Sequence, residues 1–185
     1  VNEPNVFATV YGKAYLNPRY TLMTRLLDME LKGIITNPSV KYTLFMMSDA
    51  VLAAKGYSYN SGSNGWGFRN TSGTVIENDS NRLNLLRMLN SCVVETPNNE
   101  LDNIGTTGFR GIIGTFGNEF IKYDGNRVFT AGSIERNVNI TIDSVRKALN
   151  GQVVYLNDLM YFPYLPIAKN IEILGTPAAS EFNFF

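Results

Sequence analysis

Helical spacing of hydrophobic residues marks two parts of the chain. Aromatic residues at positions 7, 11 and 15 predict a short helix that Pro18 ends. A second helix is predicted over 19–33. Its expected buried stripe is Leu22, Leu26, Met29 and Gly33, and Leu27 and Leu31 widen it. Caps at Asn78-Asp79-Ser80 predict a third helix. Its apolar face is expected to carry Leu83, Leu86 and Asn90, with Leu85, Leu89 and Val93 beside them.

Strand signals occupy other segments. Residues 40–47 are rich in β-formers and predict a buried strand, after which Ser48-Asp49 can cap a short helix. Beyond residue 107 the period changes to two, and Asp124-Gly125 is a strong hairpin signal.

The last part of the fold is predicted in the same way. Val138, Ile140 and Ile142 predict a strand, and Asp143-Ser144 can cap a short helix to Leu149. A turn at Asn150-Gly151 then precedes a strand over 153–160. This order of helices followed by a run of strands indicates an α+β fold.

The segment 57–74 combines four glycines with aromatic residues and predicts an exposed loop. Its candidate binding residues are Tyr57, Tyr59, Trp66 and Phe68. Exposed aromatics among serine, asparagine and glycine are typical of recognition surfaces, and sugar rings stack on such side chains. The alternative is that Trp66 and Phe68 fold back to cover a helix.

Composition removes several kinds of chemistry. Sixteen basic residues balance sixteen acidic ones, so no net positive charge favours nucleic acid. The chain has no histidine, which removes the commonest general base and zinc ligand. Its single cysteine, Cys92, is predicted to be a buried, inert thiol. We expect no cofactor and no bound metal, because no metal-ligand spacing is present.

Five carboxylates are the candidates for acid–base chemistry. They are Asp49, Glu77, Asp79, Glu95 and Glu100. Glycoside hydrolysis would need two of them about 5–10 Å apart. Helix caps and solvated loop charges explain the same residues, so the sequence favours a protein that is not an enzyme.

Two segments resemble the conserved boxes of fasciclin-type domains. Residues 42–51 resemble the first box, and residues 150–160 resemble the second. The resemblance covers about 19–163 and implies a wedge of two β-sheets, with about seven strands and several helices packed on one side. The box residues to which it assigns structural roles are Thr43, Phe45, Asp49, Asn150, Gly151 and Asn157.

Departures from the family pattern limit what the resemblance implies. Val154 stands at the histidine of the second box, and Asn157 at its aspartate. Ser91-Cys92 replaces the Tyr-His pair associated with integrin recognition in animal relatives. With these departures and its loops rich in tyrosine and asparagine, the chain resembles the divergent fasciclin domains of Bacteroidetes surface lipoproteins.

These observations give an expected organisation. We expect an N-terminal helical extension over 1–18, a fasciclin-type domain over 19–163, and a linker with the start of a following domain over 164–185. No apolar run is long enough to span a membrane. The expected partners are a protein or carbohydrate ligand at the cell surface and neighbouring domains of the same chain.

The expected function is a non-catalytic, extracellular adhesion or ligand-binding module. The module is expected to be part of a bacterial outer-membrane lipoprotein. The first alternative is a glycan-binding accessory component of a bacterial polysaccharide-utilisation system. The second alternative is a carboxylate-based glycoside hydrolase.

Overall fold

A computed structural model describes residues 9–15 and 18–162. The helices are α1 (Val10–Tyr15), α2 (Thr21–Glu30), α3 (Lys32–Ile35), α4 (Asp49–Ala54), α5 (Asp79–Asn90) and α6 (Ala131–Glu135). The strands are β1 (Tyr42–Met47), β2 (Tyr57–Asn60), β3 (Gly65–Arg69), β4 (Val75–Glu77), β5 (Val93–Glu95), β6 (Arg110–Gly114), β7 (Phe120–Asp124), β8 (Arg127–Phe129), β9 (Ile140–Ala148) and β10 (Gly151–Leu156).

The strands form two sheets. One has seven strands in the order β5-β1-β10-β9-β8-β7-β6, and the other has three in the order β2-β3-β4. β1 and β10 run parallel and join the two segments that resemble fasciclin boxes. The predicted α+β class with two sheets is confirmed, with ten strands in the described residues where the resemblance implied about seven.

β1 lies inside the large sheet between β5 and β10, and all six of its residues are buried. A strand covered on both faces needs a continuous apolar run, which the β-formers of residues 42–47 supply. Phe45 is fully buried at its centre. The buried strand predicted over 40–47 is therefore confirmed.

The predicted stripe of the first long helix is correct for Leu26, Leu27 and Leu31, which are buried, and wrong for Met29. Met23, Leu26 and Leu27 of α2 are buried, whereas Met29 is exposed. The helix ends at Glu30 and Gly33 belongs to α3, so the stripe predicted through Gly33 crosses a break in the helix.

The third predicted helix begins where its caps indicate. The Asn78 side chain accepts a hydrogen bond from the backbone N–H of Asn81. Leu85 and Leu89 face the core, while Leu83 is exposed. The predicted face is therefore wrong for Leu83, whereas Leu85 and Leu89, predicted beside it, form the buried stripe.

The helix predicted after Asp143-Ser144 does not exist, because β9 continues to Ala148. β9 pairs antiparallel with β10 across the tight turn before Gly151. Several backbone bonds to β10 outweigh the local capping preference of two polar residues. The Asp124-Gly125 hairpin between β7 and β8 is confirmed.

Helix α1 packs into the same core as the sheet, through Val10 and Tyr11. The predicted N-terminal extension thus contributes buried side chains, and the domain boundaries themselves stay predictions. The segment 164–185 lies outside the described residues. Among the helices of the described ranges, none combines the length and apolar character needed to cross a bilayer.

Candidate functional site

The predicted exposed loop over 57–74 is mostly a β-sheet. β2 and β3 pair antiparallel, and β4 adds to the other side of β3. Asn64 adopts a positive φ of 54° in the connecting turn, a conformation that asparagine tolerates well. The loop prediction is wrong. Aromatic residues at every second position indicate strands here, but the glycine and serine residues between them are more typical of loops and hid this signal.

That pattern places the four candidate aromatics on one face of the small sheet. Tyr57 pairs across strands with Phe68, and Tyr59 pairs with Trp66. Their ring centroids lie 5.1 Å and 4.9 Å apart, respectively. Because side chains alternate along a strand, all four rings share a face.

This face is turned towards the protein interior. Trp66 is 4% exposed and belongs to the core, and both tyrosines are partly buried against it. β3 lies beside α5, whose Asn81 side chain donates 2.9 Å to the carbonyl of Trp66. Trp66 is therefore a core side chain in this fold. Phe68, 37% exposed, marks the rim of the cluster.

An open groove of about 400 Å³ lies where β2 meets the start of α2 and the helix α4. Its lining combines two of the candidate tyrosines with hydroxyl groups, one guanidinium and one carboxylate. The lining residues are Thr21, Leu22, Arg25, Asp49, Ala53, Tyr57, Ser58, Tyr59 and Ser61. We call this the β2 groove, and it is the candidate ligand site.

Tyr59 sits between the groove and the core. The Arg25 guanidinium carbon lies 4.0 Å from the Tyr59 ring centre, and the Trp66 ring packs against the same tyrosine. The Tyr59 hydroxyl donates a hydrogen bond of 2.9 Å to Asn64 Oδ1. Arg25, which lines the groove, therefore covers the ring on which a sugar was expected to stack.

Asp49 has a structural role in the wall of the groove. One carboxylate oxygen accepts a 2.9 Å hydrogen bond from the Leu22 backbone N–H, and the other accepts from the Thr21 hydroxyl. Asp49 therefore caps the first turn of α2. Ser48, as predicted, caps α4 by accepting from Val51 N–H.

Asn150 joins three segments of the chain. It is fully buried, and its side chain bonds to the backbone of Val10, Ile35 and Asn37. The next residue, Gly151, has φ of +137°, and a Cβ there would overlap the carbonyl of Tyr42. This turn fixes how β10 enters the sheet.

The remaining box residues also make structural contacts. Gln152 donates to the buried hydroxyl of Thr43, which lies 3.3 Å from the hydroxyl of Thr96. Asn157 accepts a 2.7 Å hydrogen bond from the Thr141 backbone N–H. The roles that the resemblance assigns to the box residues stay predictions.

The other candidate carboxylates also have local explanations. Hydrogen bonds from Ser63 and Asn60 lower the pKa of Glu77, and a hydrogen bond from Arg82 lowers that of Asp79.

Two more candidates complete the set. Glu95 is exposed on β5, and Glu100 accepts from the backbone N–H of Asn98. Over the described residues, no group of three or more histidine, cysteine or acidic side chains is placed to hold a metal ion.

Cys92 is fully buried after α5. Burial raises the pKa of its thiol far above the ordinary value, so the thiol stays protonated and unreactive at neutral pH. This burial agrees with the inert thiol that the sequence predicts.

The groove residue that sequence reasoning missed is Arg25. It lies on the exposed side of α2, and no motif distinguishes it from an ordinary solvated arginine. Aromatic residues at every second position, Tyr57 and Tyr59 and then Trp66 and Phe68, are a pattern that could have predicted a hairpin over 57–69. A predicted hairpin would still not show that α2, which carries Arg25, packs beside β2.

Comparison with known proteins defines the class of the fold. No family model matches the chain, and no curated protein matches it. A solved structure of a FAS1 domain pair from the insect cell adhesion molecule fasciclin I is similar to it, with a TM-score of 0.52 and 14% identity. The match covers 88% of this chain and 52% of the insect chain.

At this identity the likeness establishes the fold. The chain has a fasciclin-type fold, as the two sequence boxes implied. It spans about half the length of the solved domain pair.

Proposed function

We propose that this chain is a non-catalytic, extracellular binding module of the adhesion type, and that the β2 groove holds its ligand. The groove carries the proposal, because its volume of about 400 Å³ lies in the range of small-ligand sites. The similarity to a domain pair from a cell adhesion molecule supports the adhesion class.

Several features support a role without catalysis. The sequence contains no histidine, and its one thiol is buried. Asp49 is the acid that lines the groove, and both of its oxygens accept hydrogen bonds from the first turn of α2. Glycoside hydrolysis needs two carboxylates across one bond, so the hydrolase alternative has no support from the groove.

A carbohydrate is the ligand class that the lining favours. Thr21, Ser58 and Ser61 bring hydroxyl groups to the groove beside two tyrosines. Such groups exchange hydrogen bonds with sugar hydroxyls as both donors and acceptors. A groove of this kind suits the role of a glycan-binding accessory component in a bacterial polysaccharide-utilisation system.

A protein partner is the second candidate, favoured by a different surface. β6 forms an edge of the large sheet, and its Ile112 is exposed. Phe116 after this strand and Phe120 at the start of the neighbouring β7 are also exposed, Phe120 to 65%. An edge strand with apolar side chains can accept an extended segment of a partner through backbone hydrogen bonds.

A glycan array separates the two candidates. The purified domain and its Phe120→Ser variant are applied to the array and, as coated beads, to a cell-adhesion assay. The carbohydrate proposal predicts saccharide binding that Phe120→Ser leaves unchanged. The protein-partner proposal predicts that no saccharide binds and that the beads adhere to cells unless they carry Phe120→Ser. That result would contradict the carbohydrate proposal.

Location is part of the proposal. We place the module at the cell surface, anchored in the outer membrane as part of a lipoprotein, with sister domains in the same polypeptide. Brief protease treatment of intact source cells should release peptides of this domain. Recovery of those peptides from lysed cells alone would contradict the surface location.

A further inference from the structure

The Arg25 guanidinium lies over the Tyr59 ring in the β2 groove. The group lies 4.0 Å from the centre of the Tyr59 ring, and Trp66 supports that ring from the core. A cation at this distance is attracted to the face of the aromatic ring. The in-plane N–H groups of the guanidinium remain able to bind a planar anion with two parallel hydrogen bonds.

Arg25 differs from other arginines of the helices in its charge environment. Arg82 lies 2.8 Å from a carboxylate oxygen of Asp79, and Arg87 lies 3.4 Å from one of Glu119. Within residues 9–15 and 18–162, Arg25 has no carboxylate within ion-pair distance. Its charge is therefore available to a ligand.

Asp49, the acid that shares the groove, forms no ion pair with Arg25. Both oxygens of Asp49 accept hydrogen bonds, one from the Leu22 backbone N–H and one from the Thr21 hydroxyl. These bonds orient the carboxylate towards the first turn of α2, whose partial positive charge also stabilises it. In the groove, the Asp49 carboxylate is thus hydrogen-bonded to α2, whereas the Arg25 guanidinium can still pair with an anionic ligand.

We propose, resting on the carbohydrate ligand proposed above, that the β2 groove selects acidic saccharides, with the carboxylate of a uronic acid paired to Arg25. Ser58 and Ser61 provide hydroxyl partners for the sugar ring. A saccharide fits better than an acidic peptide, because these hydroxyl groups match the many hydroxyls of a sugar ring.

Matched ligands test the charge directly. Short oligomers of galacturonate, glucuronate and mannuronate are compared with their methyl esters, which keep the rings and remove the charge. Calorimetry should show at least one acid binding about tenfold or more tightly than its ester, as a charge-assisted hydrogen bond implies. The preference should decrease with added salt.

Variants assign the effect to one residue. Arg25→Gln should lower affinity for the acid to that for the ester, and Arg25→Lys should recover part of it without the bidentate geometry. Arg69→Gln is the matched control, since Arg69 is exposed on β3 and does not line the groove. Equal urea midpoints for all variants would exclude a folding defect.

The outcomes separate this inference from the proposed function. Equal binding of acids and esters that Arg25→Gln leaves unchanged would overturn acid selection and leave carbohydrate binding in place. Absence of binding to any saccharide, acid or ester, would overturn both. Binding of polyglutamate through Arg25, with no uronate binding, would overturn the choice of a saccharide.

Discussion

The backbone N–H of Val10 donates a hydrogen bond of 2.8 Å to the side-chain oxygen of Asn150, which is 140 residues away in the sequence. The amide nitrogen of Asn150 donates to the carbonyls of Ile35 and Asn37. One buried amide therefore ties helix α1 and the end of α3 to the turn before β10.

Replacement of Asn150 by alanine should lower the free energy of unfolding by about 3 kcal/mol, because three buried backbone groups lose their partner. Urea denaturation followed by circular dichroism measures the change. Asn157→Ala is the control, since its exposed side chain makes one hydrogen bond and should cost about 1 kcal/mol. Equal losses for both variants would contradict the account of Asn150.

Trp66→Ala should destabilise the protein by about 3–5 kcal/mol, as expected for a buried aromatic side chain. Phe68→Ala should cost clearly less, because the Phe68 ring is partly exposed at the rim of the same face. The comparison uses urea midpoints of the two variants. A cost for Trp66→Ala within about 1 kcal/mol would show a surface side chain instead.

Gly151→Ala should prevent stable folding, because the new methyl group would overlap the Tyr42 carbonyl and the residue has a positive φ. Gly33→Ala is the matched substitution in helix α3, where a Cβ meets no atom within 4 Å. That variant should be more stable by about 0.5–1 kcal/mol. Thermal melts of both variants measure whether each substitution lowers or raises the stability. A stably folded Gly151→Ala protein would contradict the close packing of this turn against Tyr42.

Alkaline pH should weaken the fold through Tyr20. Burial, with a smaller contribution from nearby Tyr155, raises the pKa of Tyr20 from 10.0 to about 12. The folded state therefore holds this proton more tightly than the unfolded state does. The stabilisation is complete below about pH 10 and is lost as the pH rises towards about 12.

Tyr20→Phe should reduce the slope of unfolding free energy against pH in this alkaline range. Burial also raises the pKa values of Tyr42 and Tyr123, so part of the slope should remain. Urea titrations at several pH values measure it. An unchanged slope in Tyr20→Phe would show that this phenol ionises as readily in the folded chain as in the unfolded one.

Local signals predicted the parts of the fold that depend on neighbouring residues. The caps at Ser48 and Asn78 and the buried strand around Phe45 follow from short patterns, and all three are present. The sequence does not predict the part of β9 beyond Ile142, because that part is held by backbone hydrogen bonds to β10, which local sequence does not show. A local cap at Asp143 competes poorly with such a ladder.

The candidate site was predicted in part. The four aromatics do gather, as their shared segment suggested, but the strand alternation that unites Tyr59 with Trp66 also turns them inwards. The position of Arg25 above Tyr59 depends on how α2 packs against β2. Contacts between segments this far apart have no signature in a single sequence.

The central claim is that the β2 groove binds the ligand, and two adjacent alanines test it. Ala53 and Ala54 are both exposed on α4, and Ala53 lines the groove whereas Ala54 does not. Tryptophan at either position adds the same bulk to the same helix, so effects on folding should be similar.

The decisive measurement is saccharide binding on the glycan array by Ala53→Trp and Ala54→Trp, compared with the unmodified protein. We predict that Ala53→Trp loses the signal for every bound saccharide and that Ala54→Trp keeps it. Retained binding in Ala53→Trp, with both variants folded, would contradict the assignment of the groove.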